Sequence, residues 1–265
     1  MTQPTQLFNG RRKLLIGVIH LQPLPGSPRF RSGMDAIIAA AIADGRAYEK
    51  GGADAVFIEN FGDVPFTKDA VPPETIAALA VAGRAVRESV SLPIGFNVLR
   101  NDAVAALALC VACGGRFIRV NVHCGAMLTD QGVIESDAFR TLRRRRELGS
   151  PALIFADVQV KHAVPLAPMP IEIAARDTLE RGLADGLIVS GTGTGVATDL
   201  ADVERVRAAC PKARLLIGSG TTLENVRDYL ELSDGVIVGS SLKRGGRIAN
   251  PVDVKRVAAL RKRMG

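Results

Sequence analysis

Leu215–Lys243, LLIGSGTTLENVRDYLELSDGVIVGSSLK, decides the reading of the fold. Two short apolar runs, Leu215–Ile217 and Val236–Val238, each break into a cluster of small residues. These are Gly218-Ser219-Gly220 after the first run and Gly239-Ser240-Ser241 after the second. The segment between them is helix-like, and Thr221 with Glu224 three residues on matches a capping box. Short apolar runs alternating with capped amphipathic segments indicate parallel strands joined by crossover helices. Glycines where a strand gives way to a helix leave backbone N–H groups open to an anion, and the helix dipole favours negative charge there. In a (β/α)8 barrel the last strand-to-helix turns often build a phosphate site in this way.

The same unit recurs upstream. Strands are expected at Leu14–Leu21, Ala55–Glu59, Pro93–Asn97, Phe117–Val122, Ala152–Val158 and Gly186–Ser190, ahead of the two just quoted. Helices are expected at Asp35–Lys50, Glu74–Ser89, Asp102–Cys113, Asp137–Leu148, Ile171–Gly182 and Asp199–Ala209. Gly51-Gly52, Gly114-Gly115 and Gly149 supply helix stops. Asn250-Pro251-Val252-Asp253 is expected to cap a last helix, with Pro at its first position. The chain has 265 residues, close to the roughly 250 that such a barrel needs. A doubly wound sheet usually carries a GxGxxG turn after its first strand, whereas here that turn is the proline-rich QPLPGSP. The fold class is therefore α/β: a single (β/α)8 TIM barrel over residues 13–265, behind an arm at residues 1–12, with a phosphate site at the ends of strands six to eight.

Composition narrows the function. Aromatics are 4% with no Trp, which argues against base-stacking platforms and specific nucleic-acid binding. The net charge of +7 comes partly from the run Arg143–Arg146 and from Lys255, Arg256, Arg261, Lys262 and Arg263. Solvated helix faces explain such runs, and a peripheral contact with an anionic membrane is the sharper alternative. Cys110 and Cys113 lie in the apolar AALALCVACGG with no second pair to complete a zinc site, and are expected in the core. No apolar run approaches the ~18 residues of a membrane span, and MTQPTQLFNGRR lacks a signal-peptide core, so a cytoplasmic protein is expected.

In a barrel of this kind the chemistry sits where the strands end. Those ends carry His20, Glu59 with Asn60, Asn97, Asn121 with His123 and Cys124, Asp157 with Lys161 and His162 just beyond, and Ser190. The three histidines of the chain all fall there. Glu59 ends the apolar AVFIE, where an unpaired carboxylate is costly. Glu59 and Asp157 are the first choices for general acid and base, with Lys161, His123 and His20 as further catalytic candidates. Lys161 has the chemistry either to form a Schiff base or to neutralise an anion. Substrate-binding candidates are Asn97, Asn121, Ser190, Gly191, Gly193, Gly218, Ser219, Gly220, Gly239, Ser240 and Ser241. His20, His123, Glu59 and Asp157 have the ligand types for a divalent metal, though no spacing motif demands one. The glycine turns would equally hold the phosphate of flavin mononucleotide.

IHLQPLPGSP (Ile19–Pro28), ENFGDVPF (Glu59–Phe66), NVLRND (Asn97–Asp102), SGTGTG (Ser190–Gly195), IGSGTT (Ile217–Thr222) and GSSLKRGGRIANPVD (Gly239–Asp253) together resemble the BtpA family. The resemblance spans nearly the whole chain and implies a TIM-type barrel. Its cyanobacterial namesake is associated with biogenesis or stability of photosystem I reaction-centre proteins. Other members occur in non-photosynthetic bacteria and archaea, some of them near sugar-uptake and sugar-phosphate genes. The resemblance brings no catalytic residues with it. The expected function is an enzyme on a small phosphorylated substrate, by acid/base isomerase or lyase chemistry. The QPLPGSP and NFGDVPF loops are expected to close over the mouth. The alternatives are a non-catalytic factor for a membrane complex and a metal-dependent hydrolase. Such barrels often associate, so a homo-oligomer is expected.

Overall fold

The structure is a computed structural model, and its described residues are 13–265. The expected N-terminal arm, residues 1–12, lies outside the described residues. In chain order the strands are β1 (Leu14–His20), β2 (Ala55–Glu59), β3 (Ile94–Asn97), β4 (Phe117–Val120), β5 (Ala126–Thr129), β6 (Gly132–Glu135), β7 (Leu153–Val158), β8 (Ala163–Pro165), β9 (Gly186–Val189), β10 (Leu215–Ile217) and β11 (Gly235–Val238). Eight of them close into a barrel in the order β1-β11-β10-β9-β7-β4-β3-β2, every pair parallel. The helices are α1 (Met34–Gly51), α2 (Pro73–Ser89), α3 (Ala103–Cys113), α4 (Ala138–Glu147), α5 (Ile171–Arg176), α6 (Leu200–Ala209), α7 (Val226–Leu232) and α8 (Val254–Met264). The single (β/α)8 barrel read from the sequence is the fold observed.

Two apolar layers hold it. Alternate residues of each strand point inward, so Leu14, Ile16 and Val18 meet Phe57, Phe117, Leu153, Phe155, Ile188, Leu216 and Ile237 on the barrel axis. The rings of Phe57 and Phe117 pack edge to face at 4.7 Å. Gly95 makes room for them, since a Cβ there would lie 2.2 Å from the Phe117 ring. The other faces of the strands form a larger cluster with the helices, including Leu15, Ile19, Ile58, Leu79, Phe96, Leu107, Val203 and Val257. Buried Cys110 and Cys113 join this outer layer as free thiols.

Four local expectations need correction. The segments after β4 and β7, expected as loops, contain the antiparallel sheet β6-β5-β8. It forms because Met127 and Ile134 bury against Val122 and Val160. The Thr221/Glu224 capping box does not form. The helix begins later, at Val226, and the Asn225 carboxamide accepts from the N–H of Thr222 instead. Asn250-Pro251 does not open α8, because Val252 pairs with Lys243 and donates its N–H to Asp44 Oδ1. Asp253 is the cap that accepts from Lys255. The expected helix Ile171–Gly182 keeps its extent, but its second half, Asp177–Arg181, widens into π-helical turns. Among the described residues no helix is long and apolar enough to cross a membrane.

Candidate active site

Inward alternation carries one further layer of side chains past the apolar axis, and that layer is polar. On β4 the inward series runs Phe117, Arg119, Asn121; on β7 it runs Leu153, Phe155, Asp157. Arg119 and Asp157 consequently face each other, with side chains 3% and 0% exposed. Arg119 donates from Nε to Asp157 Oδ2 at 2.8 Å and from Nη2 to Oδ1 at 2.7 Å. Asn121 Nδ2 donates to Oδ2 at 3.0 Å and Ser190 Oγ to Oδ1 at 3.0 Å. Burial opposes the Arg119 charge, but the Asp157 carboxylate outweighs it and holds the guanidinium above its ordinary value. Both Asp157 oxygens are thus doubly engaged. This corrects the reading of Asp157 as a general acid or base: it braces the floor of the mouth and fixes Asn121 and Ser190.

Glu59 is placed differently. It is 5% exposed, and Asn97 Nδ2 donates to its Oε2 at 2.9 Å. No cation stands within ion-pair distance of it among the described residues. Across from it comes Lys161, on the turn between β7 and β8. Burial, then the neighbouring Arg119, pushes its ammonium below the usual lysine range. Two connected lobes open between these residues. The smaller is bounded by the turns after β9, β10 and β11. The larger is bounded by Phe61, Phe66, Asn97, Arg100, Asn121 and His162. Glu59, Lys161 and Thr194 border both lobes.

The smaller lobe has the makings of an anion cup. Gly218–Thr222 and Gly239–Ser241 line it. The N–H of Gly218 is taken by Val189 and that of Thr222 by Asn225. The N–H groups of Gly220, Thr221, Ser240 and Ser241 meet no acceptor among the described residues. The Thr221 hydroxyl is buried here with no hydrogen-bond partner among the described residues. Gly220 holds a φ of 68°, and a Cβ on it would lie 2.2 Å from the Val196 carbonyl. The strand-six loop contributes less than expected. The Gly191 N–H is spent on Ser219 Oγ, and Gly193 lies beside His162. Thr194 and Gly195 are the residues of that loop that reach the cup.

The histidines divide. His20 lines the smaller lobe, packed edge-on to Phe61 and against Gly239. Burial, then the nearby Lys243, Lys161 and Arg119, keeps it neutral by lowering its pKa well below the usual value. His123 leaves the mouth. β4 ends at Val120, so the chain turns outward and His123 is buried with Nε2 2.8 Å from the Gly182 carbonyl oxygen. Cys124 packs on the same glycine. His123 is therefore removed from the catalytic candidates, and the metal set that included it is not assembled. Among the described residues no three His, Cys, Asp or Glu side chains gather to hold a metal ion. His162 stands at the rim, its Nε2 accepting from the Thr194 N–H at 3.0 Å. The two loops read as lids are tied to one another: Asp63 accepts from the N–H of Leu24 and from Asn60.

Sequence reasoning missed Arg119, Arg100, Thr194 and Thr221. Counting back by two from Asn121 would have found Arg119. The other three sit on turns, where no periodicity applies.

Comparison with known proteins agrees with this barrel. The sequence pattern of the BtpA family matches residues 11–265. The photosystem I biogenesis protein BtpA of Synechocystis is 46% identical over 245 residues, covering 92% of this chain and 85% of that protein. Among solved structures, phosphoribosyl anthranilate isomerase from Thermus thermophilus superposes with a TM-score of 0.58 at 16% identity, covering 95% of this chain and 98% of its own. Ligand-free tryptophan synthase from M. tuberculosis gives 0.62 at 17% identity, covering 100% and 99%. At such identities these structures speak for the fold alone. The family match and the Synechocystis relative go further: this chain belongs to the BtpA family.

Proposed function

We propose that this protein is an enzyme that moves a proton on a small phosphorylated substrate, as an isomerase or a lyase. The carrying observation is that Glu59 and Lys161 border both lobes. A phosphate held by the cup would direct the rest of the ligand into the larger lobe, past these two side chains. Glu59, oriented by Asn97 and with no cation within ion-pair distance among the described residues, is suited to take a proton from carbon next to a carbonyl. Lys161 and neutral His20 are suited to donate to the carbonyl oxygen as it gains charge. Reprotonation at the neighbouring carbon would complete an isomerisation, and loss of a leaving group from the same intermediate would complete a lyase reaction. The name of the Thermus thermophilus neighbour, an isomerase of a phosphoribosyl compound, is in keeping with this reading.

Incubation in D2O with a panel of phosphorylated ketones and aldoses tests it, with deuterium at carbon read by NMR. Incorporation is expected with the natural protein and is expected to fall by at least about 100-fold in Glu59→Gln, with phosphate binding retained. Equal incorporation by Glu59→Gln would end Glu59's role.

A second reading, a non-catalytic factor for a membrane complex, draws support from the name of the Synechocystis relative. On this chain, however, much of the basic run already has intrachain partners at the surface. Arg145 pairs with Asp185, Arg144 with Glu147, and Arg143 lies over the Phe139 ring. Co-sedimentation with anionic vesicles separates the two readings, since the membrane role requires binding that Arg144→Ser with Arg146→Ser removes.

A further inference from the structure

Three cations are buried in the described structure: Arg100, Arg119 and Lys243. Arg119 has Asp157 and Lys243 has Asp44 at 2.9 Å. Arg100 has no carboxylate within ion-pair distance among the described residues. It is 4% exposed, and its guanidinium donates from Nη2 to the carbonyl oxygen of Lys161 at 2.7 Å. Asp157, Asp130 and Glu59 act on it only from beyond ion-pair distance, and a buried cation with no carboxylate in contact is costly, so an anion is expected to complete it. The guanidinium borders the larger lobe, where its remaining N–H groups form a planar fork that matches a carboxylate. Asp130 also borders this lobe but is exposed and beyond ion-pair distance. The lobe's other wall is apolar, from Phe61, Phe66 and Leu99.

We propose that the substrate is anionic at both ends, with its phosphate on the cup and a carboxylate on Arg100 across the larger lobe. This rests on the phosphate reading above and adds the class of the other end: a phosphoester of a carboxylic acid, with a middle that tolerates the two phenylalanines. Arg100 sets specificity for the carboxylate end, while Glu59 and the Lys161 ammonium face the middle of such a ligand.

Calorimetric titration of the full chain tests the assignment with three probes. These are inorganic phosphate, n-alkyl phosphates from butyl to hexyl, and the corresponding alkyl phosphates that end in a carboxylate. At one or more chain lengths the carboxylate is expected to tighten binding at least about tenfold over the methyl-ended partner, about 1.4 kcal/mol. Arg100→Met is expected to abolish that gain, and Arg100→Lys to keep part of it. Methyl-ended phosphates that bind, with no gain from the carboxylate at any length, overturn the Arg100 assignment and leave the phosphate cup standing. Failure of inorganic phosphate and every alkyl phosphate to bind overturns both. The comparison within the natural protein does not depend on either variant folding.

Discussion

Asp157 and Glu59 are both carboxylates at strand ends, yet they have different surroundings and should respond differently to the same change. Asp157→Asn would leave the buried Arg119 facing a neutral amide, and breaking a buried pair in this way typically costs about 3–5 kcal/mol. Glu59→Gln disturbs no ion pair among the described residues and should cost about 1 kcal/mol or less. Urea denaturation of the two variants checks the contrast, and an Asp157→Asn protein as stable as Glu59→Gln would rule out the clamp. Lys161 offers a chemical check. Pyridoxal phosphate carries both an aldehyde and a phosphate, and a borohydride-trapped adduct is expected on Lys161 ahead of the surface lysines, with inorganic phosphate protecting it. Labelling spread evenly over the lysines would show that Lys161 is not activated. Much of this layer was legible: His20, Glu59, Asn97, Asn121, Asp157, Lys161 and Ser190 are all at the mouth or its floor. What each one does was not legible, because it depends on which strands lie side by side. Asp157 is a clamp only because β4 pairs with β7, 38 residues away from it at Arg119.

At the scale of elements, the strand-to-helix turns were read correctly in kind and less well in detail. The glycine clusters after β10 and β11 do line one lobe, but the capping box at Thr221 belongs to no helix. Its hydroxyl stays unpartnered in the cup, which a local capping rule has no means of anticipating. The sheet β6-β5-β8 was hidden for a similar reason. Each strand has four residues or fewer, and its apolar face is completed by Val122 and Val160 from the barrel's own loops. Gly239 tests the cup as an element. A Cβ there would lie 2.5 Å from the His20 ring, so Gly239→Ala should displace the ring or the turn and weaken phosphate binding about tenfold or more. Titration calorimetry reads this directly, and unchanged affinity would show that the β11 turn is not part of the phosphate site.

At the scale of the whole molecule, the buried histidines tie stability to pH. The Nδ1 atoms of His20 and His123 are both buried with no partner among the described residues, and burial is the largest cause lowering both pKa values from 6.5. The unfolded chain therefore binds protons near pH 6.5 that the folded protein refuses until a lower pH. Stability should fall as the pH drops below about 6.5, by up to about 1.4 kcal/mol per pH unit for each histidine. Urea midpoints at pH 7.5 and 5.5 check the sign, and a flat profile would mean that the folded protein accepts those protons. The eight-fold strand order, the barrel closure and the position of the mouth were all readable from the repeating units, because each unit buries its own apolar run. The contents of the mouth are set by contacts between units, and there the structure was needed. The phosphate cup carries the functional reading, and a crystal grown at neutral pH with inorganic phosphate tests it most directly. Tetrahedral density within hydrogen-bond distance of the N–H groups of Gly220, Thr221, Ser240 and Ser241 is the expected result. A cup that stays empty at saturating phosphate, or phosphate bound only elsewhere, would contradict it.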